Sequence, residues 1–258
     1  MLKINYGDRF QIGDHILVNG DALDPKIVAR AIGENKINAF ISDIPYGVDY
    51  TASKKDFSKV KVDKDILNDG LVSESQYAKF VEDLIAPVVP HLKRKNSFYI
   101  FNSDKQIFAL REGMEKTGVH FGQIIIWVKN QPVIGRKDYL PMHELIAFGW
   151  HGVHEFKKAK DKSVLFCPKP SKSALHPTQK PVSLMRRLIL NSTSIGDVVY
   201  EPCAGSGTTG IACDQTKRKC VMIELDPEYC RTIIERFDKL GVKAKRETAN
   251  IQKDERKK

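Results

Sequence analysis

Gly196-Asp-Val-Val-Tyr-Glu201-Pro-Cys-Ala-Gly205-Ser-Gly207-Thr-Thr-Gly210 runs on to Lys219-Cys-Val-Met-Ile-Glu224, and this stretch decides the fold. Asp197–Glu201 reads as a short buried strand. Gly205 to Gly210 read as a tight turn into a helix. Lys219–Ile223 is a second apolar strand, ended by Glu224. The result is one β-loop-α-β unit with glycines where a backbone must come close to a ligand. Glu224 follows Gly205 by 19 residues, near the spacing at which a carboxylate meets a ribose hydroxyl. Alone, Gly205-x-Gly207-x-x-Gly210 fits a plain strand–helix turn, a dinucleotide site or a site for another adenosine ligand. Its surroundings must decide.

Outward from this unit, apolar strands alternate with amphipathic helices. Strands are expected at Asn38–Ser42, Ser97–Phe101, Gln123–Lys129 and Glu144–Trp150, with a hairpin over 9–19 turning at Gly13-Asp14. Helices are expected after Pro25, from Ser73 to about His91, over Asp104–Lys116, over 182–192 behind Pro181, and over Pro227–Leu240. This alternation predicts an α/β fold: a mostly parallel sheet covered by helices on both faces. Asp43, Glu201 and Glu224 each end a strand, so they should line one rim, where such sheets bind ligands. The expected organisation is a single domain over 1–242. Lys-rich insertions interrupt it at about 48–70 and 130–175, and a basic tail over 243–258 should be frayed.

The 258 residues carry 42 Lys and Arg against 32 Asp and Glu, a formal charge of +10. That balance favours a polyanionic partner. Lys54, Lys55, Lys59, Lys61 and Lys64 concentrate charge in one stretch without strand or helix periodicity. The five cysteines form no Cys-x-x-Cys pair, so free thiols in a reducing compartment are expected rather than disulfides or a metal site. No apolar run is long enough for a membrane span, and no signal peptide is expected.

Asp43-Ile44-Pro45-Tyr46 closes the Asn38–Ser42 strand. Proline fixes its own φ and biases Ile44 toward an extended backbone, giving a stiff lip with a carboxylate and an aromatic ring. His176-Pro-Thr-Gln-Lys-Pro181 comes later, just before the Gly-rich unit. Taken together and in this order, from about Gly20 to Phe237, these motifs resemble the β class of DNA amino-methyltransferases. The resemblance implies a Rossmann-like methyltransferase fold. It implies methyl transfer from S-adenosylmethionine to adenine N6 or cytosine N4 in DNA.

Carried over residue by residue, the resemblance implies a catalytic lip of Asp43, Ile44, Pro45 and Tyr46. The cofactor set it implies is Ala204, Gly205, Ser206, Gly207, Thr208 and Thr209 of the loop, Glu224 and Leu225 at the ribose, and Asp21 and Ala22 at the adenine edge. Glu201 and Cys203 fall under the cofactor, and His176, Thr178 and Lys180 on a segment closing over it. Asp21 also fits a helix-cap role. Three positions depart from the family pattern: Ile44 for proline, Cys203 for phenylalanine and Glu201 for aspartate. The first suggests a looser lip, and the other two weaken the expectation for cofactor affinity.

The chemistry explains these residue types. A ring-conjugated amine is a poor nucleophile. Asp43 and the Ile44 carbonyl can accept its two N–H bonds as the nitrogen attacks the sulfonium methyl. The base must leave the duplex first, and Tyr46 offers a face on which it stacks. Within the family Asp at the first lip position goes mostly with adenine, so adenine N6 is expected. N4-cytosine transfer, an RNA substrate and a DNA-binding protein that has lost catalysis remain the alternatives. A nicotinamide dehydrogenase leaves Asp43–Tyr46 and His176–Pro181 unexplained. The Lys-rich segments read as phosphate-contacting arms, with Arg136, Lys137 and His151 as base-reaching candidates. A second copy of the chain and a companion restriction endonuclease are further partners compatible with this reading, in a bacterial or phage-encoded cytoplasmic enzyme.

Overall fold

The computed structural model describes residues 2–46, 72–133, 138–158, 161–168 and 180–247. The Lys-rich loop 48–70, Arg136, Lys137, His176, Thr178 and the tail beyond 247 lie outside them.

A five-stranded parallel centre carries the molecule. It runs in the order β2 (His15–Asn19), β10 (Lys219–Glu224), β9 (Val198–Glu201), β3 (Ile37–Ser42) and β4 (Leu92–Asn102). Antiparallel strands extend both sides. β1 (Arg9–Ile12) and β11 (Ala244–Glu247) lie beyond β2, and β6 (His143–His151) and β5 (Val119–Val128) lie beyond β4. Two short strands, β7 (Val153–His154) and β8 (Val164–Phe166), pair parallel with β4 and β5. The architecture is the expected Rossmann-like α/β fold, with a parallel core and antiparallel edges.

Each central strand feeds two cores, because successive side chains leave opposite faces. On β3, Phe40 joins one cluster while its neighbours Ala39 and Ile41 join the other. Helices α1 (Pro25–Ile32), α2 (Glu74–Ile85) and α3 (Ile107–Lys116) cover the first face. Helices α4 (Val182–Ser192), α5 (Thr208–Gln215) and α6 (Pro227–Lys239) cover the second. Local signals set several helix starts. Asp24 accepts from the Lys26 amide ahead of Pro25, Asp226 accepts from the Glu228 amide ahead of Pro227, and Ser73 with Gln76 forms a capping box.

Two sequence expectations change. Residues 244–247 form edge strand β11, paired with β1 through the Arg9–Glu247 register and an ion pair between those side chains, rather than a frayed tail. The segment after His151 is not wholly irregular, since it contains β7 and β8. Asp161 within it accepts from Arg187 Nε at 2.9 Å and Asn191 Nδ2 at 2.7 Å, which pins it to α4. All five cysteines are free thiols. Among the described residues no helix is long and apolar enough to cross a membrane.

Helix α3 packs closely on α2 because Gly113 has no side chain. A Cβ there would lie 2.5 Å from the Ala78 carbonyl oxygen and 2.6 Å from Val81 Cβ. Backbone cannot yield as a flexible side chain does. Gly113→Ala is expected to lower the unfolding free energy by about 1–3 kcal/mol, read from the urea midpoint. An unchanged midpoint contradicts this packing.

Candidate active site

The parallel order places the carboxyl ends of β3, β9 and β10 side by side at one rim. Asp43, Cys203 and the Gly-rich loop therefore emerge next to one another. Glu201, at the end of β9, ties them together. Its carboxylate accepts from the Ser42 hydroxyl on β3, from Thr209 Oγ1 on α5 at 2.8 Å and from the Cys203 amide at 3.2 Å. It is 3% exposed. Burial pushes its pKa up to about 8, although these three donors favour the charged form.

The loop itself is a left-handed turn, with φ of 52° at Gly205 and 77° at Gly207. A Cβ on Gly207 would also lie 2.8 Å from Ile233 of α6. Glu224 accepts from the Gly205 amide at 2.6 Å and the Asp226 amide at 2.8 Å. Burial raises its pKa to about 7. Gly20 donates to the Glu224 carbonyl at 3.0 Å, which brings Asp21 and Ala22 beside the same strand end. Asp21 accepts from the Leu23 amide at 2.9 Å in a local turn ahead of α1, and the helix cap that the sequence also offered for it is filled by Asp24 instead. Asn19 donates to the Glu224 and Leu225 carbonyls, both at 2.9 Å. Arg236 on α6 props the loop by donating to the Ser206 carbonyl at 2.5 Å. A positive-φ loop, a helix start and a strand-end carboxylate at one edge form a cradle that could hold an adenosyl ligand and its ribose diol.

The lip is pinned from both sides. Ile44 is 1% exposed and belongs to the first core cluster, so burial rather than a proline ring anchors it. Tyr77 on α2 donates to the Pro45 carbonyl at 2.9 Å and accepts from Asn102 at 2.8 Å. The lip is thus firmer than the Ile44 substitution led us to expect. Asp43 accepts from the Tyr46 hydroxyl at 2.8 Å and from Lys180 Nζ at 2.5 Å. Lys180 also bonds Glu144 at 3.1 Å, and Glu144 takes a second ammonium from Lys129 at 3.1 Å. Tyr46 reaches Glu144 as well, at 3.1 Å. Burial pushes Asp43 up, while Lys180 pulls it back. Burial pushes Glu144 up too, but Lys180 and Lys129 prevail and hold it at about 2.

The structure thus brings together Asp43, Ile44, Pro45, Tyr46, Asp21, Ala22, Glu201, Cys203, the 204–209 loop, Glu224 and Leu225. Lys180 was grouped with the cofactor residues in the sequence reading. Its ammonium sits on Asp43 and Glu144, two half-buried carboxylates that share it. Glu144 and Lys129 went unnoticed in the sequence. The only signal was a charged residue at each lip-side end of two apolar strands, with Glu144 paired to Trp127.

Residues 37–235 match the family model described as DNA methylase, of the N6 and N4 type. The chain belongs to this DNA methylase family. It is 27% identical over 236 residues to the type II methyltransferase M.HpaI of Haemophilus parainfluenzae, covering 81% of this chain and 70% of that one. It is 25% identical over 286 residues to the DNA adenine methyltransferase YhdJ of Escherichia coli strain K12, covering 93% and 91%. The crystal structure of an M1.HpyAVI–SAM complex matches with a TM-score of 0.62 at 26% identity, over 85% of this chain and 98% of that one. The chain is accordingly a β-class, S-adenosylmethionine-dependent DNA amino-methyltransferase.

The raised Glu201 and Glu224 carboxyls make the unliganded methylase sensitive to pH. The folded state keeps protons that the unfolded chain releases near the ordinary glutamate value of 4.5. Stability should therefore fall as pH rises from about 5 to about 8, by at most about 1.4 kcal/mol per pH unit for each group. Glu201→Gln should flatten that slope in urea unfolding, and an unchanged slope contradicts the assignment.

Proposed function

We propose that this methylase transfers the methyl group of S-adenosylmethionine to the N6 amine of adenine in duplex DNA, at a base turned out of the stack. The observation that carries the reading is the shared rim: an Asp-x-Pro-Tyr lip pinned beside a positive-φ loop and a strand-end carboxylate. The YhdJ relative is by its name an adenine enzyme, and an Asp at the lip's first position fits the same choice. N4 of cytosine presents the same kind of amine and is the second reading.

In this proposal Glu224 receives the ribose hydroxyls, while the Gly205–Gly207 backbone lies against the methionine part. Asp21 and Ala22 border the adenine ring. The bound cofactor supplies an electrophilic methyl on a positively charged sulfur. Asp43 and the Ile44 carbonyl accept the two N–H bonds of the substrate amine, which orients its lone pair for in-line attack. Tyr77 holds the Pro45 carbonyl and thereby the lip. Tyr46 lines the place where the base lies. The N–C bond forms as the S–C bond breaks with its electrons left on sulfur, and the nitrogen then sheds one proton. The Lys-rich stretches at about 48–70 and 130–175 are assigned to phosphate contact, which predicts stronger binding at low salt. A second copy of the chain and a partner endonuclease are compatible with this reading.

Asp43→Ala should lower methyl transfer to unmethylated plasmid DNA by about 100-fold or more. S-adenosylmethionine should still bind in equilibrium dialysis. Full turnover by that variant sinks the catalytic assignment. Mass analysis of nucleosides from DNA treated with the wild-type protein should show N6-methyladenine; N4-methylcytosine in its place moves the reading to cytosine.

A further inference from the structure

Beneath the lip lies a set of charges, among the described residues, of which the methyl-transfer scheme uses only Asp43 and Tyr46. Lys180, 6% exposed, bridges Asp43 Oδ2 at 2.5 Å and Glu144 Oε2 at 3.1 Å. Lys129, 3% exposed, backs Glu144 from its other oxygen at 3.1 Å. The Tyr46 hydroxyl lies 2.8 Å from Asp43 Oδ1 and 3.1 Å from Glu144 Oε2. Two carboxylates and two ammoniums balance, so the set is neutral while both acids are ionised. A hydroxyl carries one proton, so Tyr46 can donate to only one carboxylate at a time.

We propose that Glu144 is a positioning residue for methyl transfer: by drawing Lys180 and the Tyr46 hydroxyl partly away from Asp43, it leaves Asp43 able to take the proton the substrate amine gives up. The inference rests on the reading of Asp43 given above. A half-buried carboxylate paired with a lysine alone is held in its charged form and has little affinity left for a proton. Glu144 divides that lysine's attraction, and Lys129 keeps Glu144 itself ionised.

The same geometry accommodates the proton. The amine lone pair forms the N–C bond, and the S–C electrons leave with sulfur. One N–H proton passes to Asp43 Oδ1 while its electron pair stays on nitrogen. Asp43 Oδ1–H then donates to the Tyr46 oxygen, and Tyr46 O–H turns to donate to Glu144 Oε2. The proton then leaves to solvent from Asp43.

Among the described residues, the charged and titratable groups facing Asp43 are Lys180 ahead of α4, Tyr46 on the lip, Glu144 on β6, and Glu201 and Cys203 on the β9 side. Lys129 on the β5 side stands behind Glu144. This arrangement predicts opposite responses from two neighbouring substitutions. Glu144→Gln removes a negative charge and releases Lys180 fully onto Asp43, so the Asp43 titration midpoint should fall by about one pH unit. Lys129→Met leaves Glu144 to pull harder on Lys180, so the midpoint should rise.

The experiment is a carboxyl-carbon NMR titration of the unliganded full chain, labelled with ¹³C-aspartate and assigned by Asp43→Asn. It is run on wild type, Glu144→Gln and Lys129→Met. Opposite shifts support the proposal; shifts of the same sign, or none, overturn it. If Glu144→Gln fails to fold, Lys129→Met decides alone: a rise supports and a fall or no change overturns. Methyl transfer to plasmid DNA forms the second arm. Glu144→Gln should lose about 10-fold in kcat with its KM for S-adenosylmethionine unchanged, and wild-type kcat in that variant overturns the positioning role. A wild-type protein that methylates no DNA counts against the functional reading, whereas the titration reports on the charge set independently of it.

Discussion

A single buried carboxylate holds the two halves of the site together. Glu201 ends β9 and accepts from Ser42 at the end of β3, from Thr209 in the first turn of α5 and from the Cys203 amide. Ser42 immediately precedes Asp43, and Thr209 belongs to the helix that follows Gly207. The Asp43–Tyr46 lip and the Gly205–Gly207 loop are more than 150 residues apart along the chain, with Ser42 and Glu201 separated by 159. Parallel pairing of β3 with β9 brings them together, and Glu201 fixes how they meet. The cost is a carboxyl pushed up to about 8 by burial, which the three donors repay only in part.

Charge placement at the lip follows a different logic. Water can reach Asp43 only partially, its side chain being 24% exposed. An isolated acid in that place would tend to hold its proton. Lys180 offsets this, yet a lysine bound only to Asp43 would also lower its affinity for the proton it is proposed to take. Glu144 and Lys129 turn that pair into a neutral group of four in which no single contact monopolises Asp43. Stability and reactivity are reconciled by sharing a cation between two acids.

Much of the fold was legible from the chain. Apolar runs of strand length, helices opened by Asp-Pro or Pro-Val, and the glycines at 205, 207 and 210 placed the central strands and most of the helices. The Gly-rich unit and the Asp43–Tyr46 lip fell on the same rim because parallel strands end together. The edges were harder. Ala-Lys-Arg-Glu over 244–247 is as polar as a tail and becomes β11 only because β1 offers a free edge. Val164–Phe166 is too short for periodicity to reveal, and it is held by pairing with β5. Glu144 and Lys129 escaped notice for a related reason. A charge at the end of a strand usually faces solvent, and only the folded arrangement shows that these two face each other. Lys180 was read with its motif and therefore with the cofactor, since a linear motif says nothing about competition from carboxylates elsewhere.

The central claim is that lip and loop open into one cleft, so that a sulfonium methyl and a base amine meet above Asp43. A crystal structure of this chain with S-adenosylmethionine bound tests it most directly. The ribose should lie on Glu224 and the methyl should point at the space over Asp43 and the Ile44 carbonyl, leaving about 3–3.5 Å for the attacking nitrogen. A cofactor seated elsewhere, or a methyl directed away from Asp43, contradicts the account.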